Sequence, residues 1–347
     1  MLVHIVADYG NGDLAFSEVV QRLKLYLPDA EPVLTPVPPF ATLAAGFCVA
    51  QLGLNEAPPG TIIYHNVAPR EDDGEARSGN EGERLAFALL PTGVRVVGVN
   101  AGYAFSFVRD AAEELRWASV GAEGSQFRSR DLFPKAAADI ASGRPDALAD
   151  DMHPSAIPDV PLDLVAYIDG YGNIKATIKS GPDGWSGASS GSMARVGIGG
   201  VEREAVSSDG SFKVEEGQLS FAPGSSGWAA ASGEETLWME LFLRGGSAWG
   251  HGLVVHRTEA RPRAGGRADG RGLRRDERKR GRGRDASRDR DLPVCFQDCG
   301  PLQVGGERSD LRPRARPREA CGIAIRSALE HCPKAGWSKA VALIFSA

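Results

Sequence analysis

Leu2-Val3-His4-Ile5-Val6-Ala7 runs straight into Asp8-Tyr9-Gly10-Asn11-Gly12-Asp13. An apolar run rich in β-branched residues, cut off by glycines and acids and followed by apolar positions three and four apart over 14–27, predicts strand, tight loop and helix. Asp8 then sits at the carboxyl end of a buried strand. Ligands bind along that edge of open α/β sheets because loops and helix amino termini converge there. A carboxylate directly after a strand has no capping task, which makes Asp8 a candidate ligand group. Asp13 has two readings, the N-cap of the helix that starts at Leu14 or a second acid of the same pocket.

Outward from this unit, strand and helix alternate. Residues 33–37 read as a second strand, Pro38-Pro39 bars an immediate helix, and 40–52 carries Phe40, Leu43, Ala44, Phe47 and Leu52 at helical spacing. Further strands are expected at 61–67, 85–90 and 94–100, with helices at 107–117 and 132–141. Such repetition predicts an α/β domain with a mostly parallel sheet covered on both faces. Polar loops at 71–84, Asn100-Ala101-Gly102-Tyr103 and 124–131 leave strands or enter helices and can face one another across a cleft.

Pro145, Pro154, Pro158 and Pro161 mark 145–161 as a linker that closes the α/β domain of 1–144. Beyond it, short strands at 162–168, 173–178, 193–201, 211–214, 218–221 and 237–243 are separated by glycine and serine, which predicts a small all-β sandwich or barrel over 162–250. Asp169-Gly170-Tyr171-Gly172-Asn173 lies between the first two of these strands. On its own it reads as a turn whose glycines supply positive φ.

The chain has 347 residues and a formal net charge of −5, which gives no overall attraction to nucleic acid or anionic lipid. Arginine nevertheless crowds 256–291, inside a low-complexity Arg/Gly-rich tail over 251–347 whose composition fits translation of a GC-rich gene in a shifted frame. Cys48 sits in the apolar run 40–52 as a small core residue, and Cys295, Cys299, Cys321 and Cys332 match neither a zinc site nor a disulfide framework, so no metal is expected. There is no secretory leader pattern and no apolar run of about 18 residues, which predicts a cytoplasmic protein with no membrane span.

In order along the chain stand Asp8-Tyr9-Gly10 with Asp13, Val37-Pro38-Pro39-Phe40, Pro58-Pro59-Gly60-Thr61, Phe127-Arg128-Ser129-Arg130-Asp131, Asp169-Gly170-Tyr171-Gly172-Asn173 and Gly246-Ser247-Ala248. Over residues 1–250 this resembles the fluorinase and S-adenosylmethionine hydroxide adenosyltransferase family. The resemblance implies an N-terminal α/β domain, a small C-terminal β-barrel, and a homotrimer that takes S-adenosylmethionine as substrate, with no further cofactor, between neighbouring subunits. Family members attack C5′ of the ribose and expel methionine, with halide or water-derived hydroxide as nucleophile. By resemblance Asp8 holds the ribose hydroxyls, Asp13 is a second acid of the pocket, and Phe40 packs on the ligand. Phe127 and Ser129 fall where the nucleophile is contacted, while Asp169 and Asn173, with Tyr171 between them, grip the methionine end.

Two departures bear on chemistry. Ala68 stands where the hydrolytic branch has an aspartate, and Arg128 where it has a histidine. Arginine stays protonated at neutral pH and cannot serve as a base. Hydrolysis would need Arg70 or Arg128 to hold hydroxide electrostatically beside Ser129. The alternatives are a nucleoside-binding protein without turnover and, through the basic tail, a nucleic-acid binder.

Overall fold

A computed structural model of the chain describes residues 1–69, 82–121, 125–182, 184–185, 190–229, 233, 235–251 and 343–346. Strands β1 (Leu2–Ala7), β2 (Glu31–Pro36), β3 (Ile62–Asn66), β4 (Leu85–Leu89), β5 (Arg95–Val99), β6 (Glu114–Ala118) and β7 (Leu148–Asp151) form one sheet in the order β2-β1-β3-β5-β4-β6-β7. β1 pairs in parallel with β2 and β3, and β3 with β5, whereas β4 runs antiparallel to β5 and β6, and β6 to β7. The sheet is mixed, not mostly parallel. Leu90 to Val94 closes β4 onto β5 by a tight turn, with the Gly93 amide donating to the Leu90 carbonyl at 2.8 Å, and so short a link permits only an antiparallel pair.

Helix α1 (Leu14–Tyr26) buries Phe16, Val19 and Leu23, spaced three and four apart, against one face of this sheet, together with α4 (Phe133–Ala141) and the short α3 (Arg128–Asp131) before it. Helix α2 (Thr42–Gly53) covers the other face. Nearly every residue of α2 is buried, because it is sandwiched between two layers rather than facing solvent.

The second layer is a curled half-barrel of β8 (Val165–Ile168), β9 (Ile174–Lys179), β10 (Met193–Ile198), β11 (Val201–Ser207), β12 (Leu219–Ala229), β13 (Glu235–Leu243) and β14 (Leu343–Ser346), in the order β14-β10-β11-β12-β13-β9-β8. All its pairings are antiparallel except β11 with β12. The Phe47 ring of α2 stacks on Tyr167 of β8 at 6.3 Å and meets Trp228 of β12 edge-on at 5.6 Å. Beside it, the Asn55 side-chain amide donates to the Gly227 carbonyl at 2.9 Å, and the Gly227 amide to the Gln51 side chain at 3.0 Å. Both layers thus share one hydrophobic core.

Four expectations are corrected. The segment expected as a linker supplies β7, an edge strand of the first sheet, because Leu148 and Met152 have apolar surface to bury there. Residues 107–117 are turns followed by β6: Phe105, Phe107 and Val108 reach the core from irregular backbone, and Leu115 and Trp117 then alternate onto one sheet face. Residues 211–214 begin in a single 3₁₀ turn, Ser211–Lys213, after Ser208 Oγ accepts the Gly210 amide at 3.2 Å. The strand expected at 193–201 is a hairpin, with Gly199 and Gly200 both at positive φ, as a two-residue turn between β10 and β11 requires. Among the described residues no helix is long and apolar enough to cross a membrane.

Candidate active site at the β1–β3 switch point

The parallel strands β1, β2, β3 and β5 end on the same edge of the first sheet. From β1 the chain passes over one face through α1 to β2, then over the other face through α2 to β3 on the opposite side of β1. The carboxyl ends of β1 and β3 therefore flank a topological switch point, the place where open α/β sheets bind ligands.

Asp8 and Tyr9 stand at the end of β1. Asp8 Oδ2 accepts the Phe40 amide at 3.0 Å, and this contact together with Pro38-Pro39 holds Phe40 outside α2, at φ 62° with half its surface exposed. A phenylalanine in the left-handed region costs on the order of 1–3 kcal/mol, a strain that gathers at functional sites. The helix expected from Phe40 accordingly starts at Thr42. Asp13 is the N-cap of α1: its carboxylate accepts the Ala15 amide at 2.8 Å from an extended backbone.

The Tyr9 hydroxyl donates to Ser129 Oγ at 2.7 Å, while its ring meets Phe127 edge-on at 5.8 Å and Phe16 at 5.1 Å. From beneath, the buried Tyr64 hydroxyl of β3 donates to the Ser129 carbonyl at 2.6 Å. Burial, and secondarily the charge of Asp8, push the Tyr9 phenol well above its ordinary range against the opposing effect of its Ser129 bond, so it stays a donor. Tyr9 fills one lone pair of the Ser129 hydroxyl, which leaves the serine proton to donate elsewhere.

Arg130 fixes the start of α3, pairing with Asp131 at 2.7 Å and Glu18 of α1 at 3.2 Å and lying over the Phe127 ring. Its hydrogen bond to Asp131 holds that carboxyl down at about 2. Arg128 lies 5.1 Å over the Phe133 ring, and its Nε is buried with no hydrogen-bond partner among the described residues. Ala68 packs beside this cluster at the end of β3, and Arg70 lies outside the described residues.

The Asp169–Asn173 turn joins β8 to β9. Asp169 Oδ1 accepts the Tyr171 and Asn173 amides at 2.9 and 3.0 Å, and Oδ2 accepts the Asn173 side-chain amide at 3.0 Å. A Cβ on Gly172 would lie 1.9 Å from Ser247 Oγ, and the Trp249 amide donates to the Gly172 carbonyl at 2.9 Å, so the Gly246-Ser247-Ala248 segment packs directly on this turn. The Tyr171 side chain is exposed.

The fold thus brings Asp8, Phe40, Phe127 and Ser129 to one edge of the first sheet, and Asp169, Tyr171 and Asn173 to one turn of the second. The two groups are held by separate sets of contacts. Tyr9 and Tyr64 escaped selection from sequence. A tyrosine inside a buried strand, whose hydroxyl needs a partner, was the available signal for Tyr64.

No protein-family model and no curated protein matches the chain. Among solved structures it is similar to an uncharacterized conserved protein from Thermotoga maritima, with 20% identity and a TM-score of 0.56 over 71% of this chain and 94% of that one. It is also similar to a conserved hypothetical protein from Thermus thermophilus, with 23% identity and a TM-score of 0.49 over 71% of this chain and 92% of that one. The Thermotoga protein shares the fold.

Proposed function

We propose that the chain is an S-adenosylmethionine-binding enzyme of the fluorinase and S-adenosylmethionine hydroxide adenosyltransferase type, which cleaves its substrate with water to adenosine and methionine. The observation that supports this is the meeting of Asp8, Phe40, Phe127 and Ser129, from distant segments, around Tyr9 at the β1–β3 switch point. The Asp8 carboxylate is the kind of acceptor that ribose hydroxyls need, and the exposed Phe40 ring offers a face for the nucleoside. In this reading the half-barrel is the small barrel of such enzymes. Its Asp169–Asn173 turn lines the crevice of a neighbouring protomer in a homotrimer, where it receives the methionine end.

The sulfonium is a good leaving group, so the protein has to orient and desolvate a small nucleophile. A water proton passes to solvent, the resulting hydroxide oxygen bonds to C5′ as the C5′–S bond breaks, and the bonding pair returns to sulfur as a neutral thioether. Ser129, with one lone pair filled by Tyr9, directs its proton at the incoming oxygen, and the Arg128 guanidinium supplies charge for hydroxide. Incubation with S-adenosylmethionine, followed by chromatography, is expected to yield equal amounts of adenosine and methionine above the uncatalysed rate, and sedimentation a trimer.

A second reading, an adenosyl-binding protein without turnover, is favoured by the tyrosine partners of Ser129 and by Ala68, none of which is a base. Calorimetric binding with no adenosine formed would select it.

A further inference from the structure

Lys175 and Glu240 face each other as register partners across β9 and β13, and the Lys175 ammonium lies 2.8 Å from Glu240 Oε1 with both side chains buried. Burying two charges in a sheet core carries a heavy desolvation cost, and apolar residues often fill such a position with no loss of stability. The backbone is nonetheless shaped around this pair. The β12–β13 register shifts between Pro223 and Gly227, the Ser226 amide donates to Glu240 Oε1 at 3.3 Å, and a Cβ on Gly224 would lie only 2.0 Å from that oxygen. Glu240 is thereby held from the side away from the turn, while the same ammonium lies 3.7 Å from Asp169 Oδ2 on the other side.

We propose that Glu240 is a positioning residue that holds the Lys175 ammonium back from Asp169, keeping the Asp169 carboxylate available for a cationic ligand group. This rests on the reading of Asp169 as the group that receives the substrate's amino-acid end. Two carboxylates share one ammonium, so the cluster carries a net charge of −1 that a ligand ammonium completes. Without the Glu240 charge, Lys175 collapses onto Asp169 as a close ion pair and competes with the ligand for the same oxygen.

The test compares S-adenosylmethionine with 5′-methylthioadenosine, the same nucleoside without an amino-acid arm, by calorimetry on the full chain. Glu240→Gln is expected to weaken S-adenosylmethionine roughly tenfold, the scale of one charge-assisted contact, and to leave methylthioadenosine unchanged. Adding Lys175→Met to Glu240→Gln removes the competing ammonium and is expected to restore S-adenosylmethionine binding to within about twofold of wild type. Equal weakening of both ligands, no weakening, or a double variant as weak as the single overturns the proposal while the wild type still binds. If Glu240→Gln does not fold, the neutral double variant decides alone, since a selective loss of S-adenosylmethionine there contradicts the proposal. A wild type that binds neither compound overturns the functional reading and this inference with it.

Discussion

The Tyr9 hydroxyl donates to Ser129 Oγ at 2.7 Å across 120 residues of sequence, tying the loop after the first strand to the first turn of α3. This bond sets which way the Ser129 proton can point. Tyr9→Phe keeps the ring against Phe127 and Phe16 and removes only the donor. It is expected to lower stability by about 1 kcal/mol in urea denaturation, as for a single neutral hydrogen bond. Under the proposed hydrolysis, adenosine formation should fall by on the order of tenfold or more, because Ser129 loses its fixed orientation. Unchanged turnover would remove Ser129 from the chemistry.

Phe40 pairs a strained backbone with an exposed ring, so its two contributions can be separated. Phe40→Gly releases a φ of 62° while keeping the amide that Asp8 accepts. Stability is expected to hold or rise by up to about 1 kcal/mol, while adenosyl-ligand affinity falls several-fold. A thermal melt and a binding isotherm on one preparation check both. A drop in stability would mean that the ring is a packing element.

His65 is fully buried on β3 against Phe105 and the space left by Gly98, and neither ring nitrogen has a hydrogen-bond partner among the described residues. Burial lowers its pKa from 6.5 to about 3. Between those values the unfolded chain binds a proton that the folded chain does not, so stability is lost as pH falls from about 6.5 toward 3, at up to about 1.4 kcal/mol per pH unit. His65→Leu is expected to flatten urea midpoints measured between pH 6.5 and 4. His4, also lowered by burial, leaves a residual slope in both proteins. Equal slopes would count against His65 as the titrating group.

Gly172 joins the turn of the second layer to the Gly246–Ala248 segment by a contact that leaves no room for a side chain. At φ +80° with Ser247 Oγ 1.9 Å from its Cβ position, Gly172→Ala is both strained and obstructed. A loss of about 1–3 kcal/mol is expected, with weaker S-adenosylmethionine binding as Asp169 and Asn173 are displaced. Combining it with Ser247→Gly should recover the steric part and leave the conformational part.

The opening strand, loop and helix, the α/β character of the first layer and the β character of the second were legible because each rests on local information: period-two or helical spacing of apolar residues, prolines that stop helices, and glycines at turns. Asp13 could be read as a cap for the same reason, since its partner Ala15 lies two residues away. The antiparallel direction of β4 was legible too, in the short link from Leu90 to Val94, whereas the strand character of β6 and β7 and the left-handed Phe40 were not local. Each depends on a surface or acceptor contributed by residues remote in sequence, such as β4 for β6 or the Asp8 carboxylate for the Phe40 amide. Long-range burial and hydrogen bonding outweigh propensities worth tenths of a kcal/mol per residue. The candidate site divides the same way: position after the first strand marked Asp8 and the family resemblance pointed to Phe127, Ser129, Asp169 and Asn173, but only the folded chain shows Tyr9 and Tyr64 as partners of Ser129 and Lys175 and Glu240 beside Asp169. Those supporting groups are decided by what a buried hydroxyl, ammonium or carboxylate can reach once water is excluded, and that distance exists only in three dimensions.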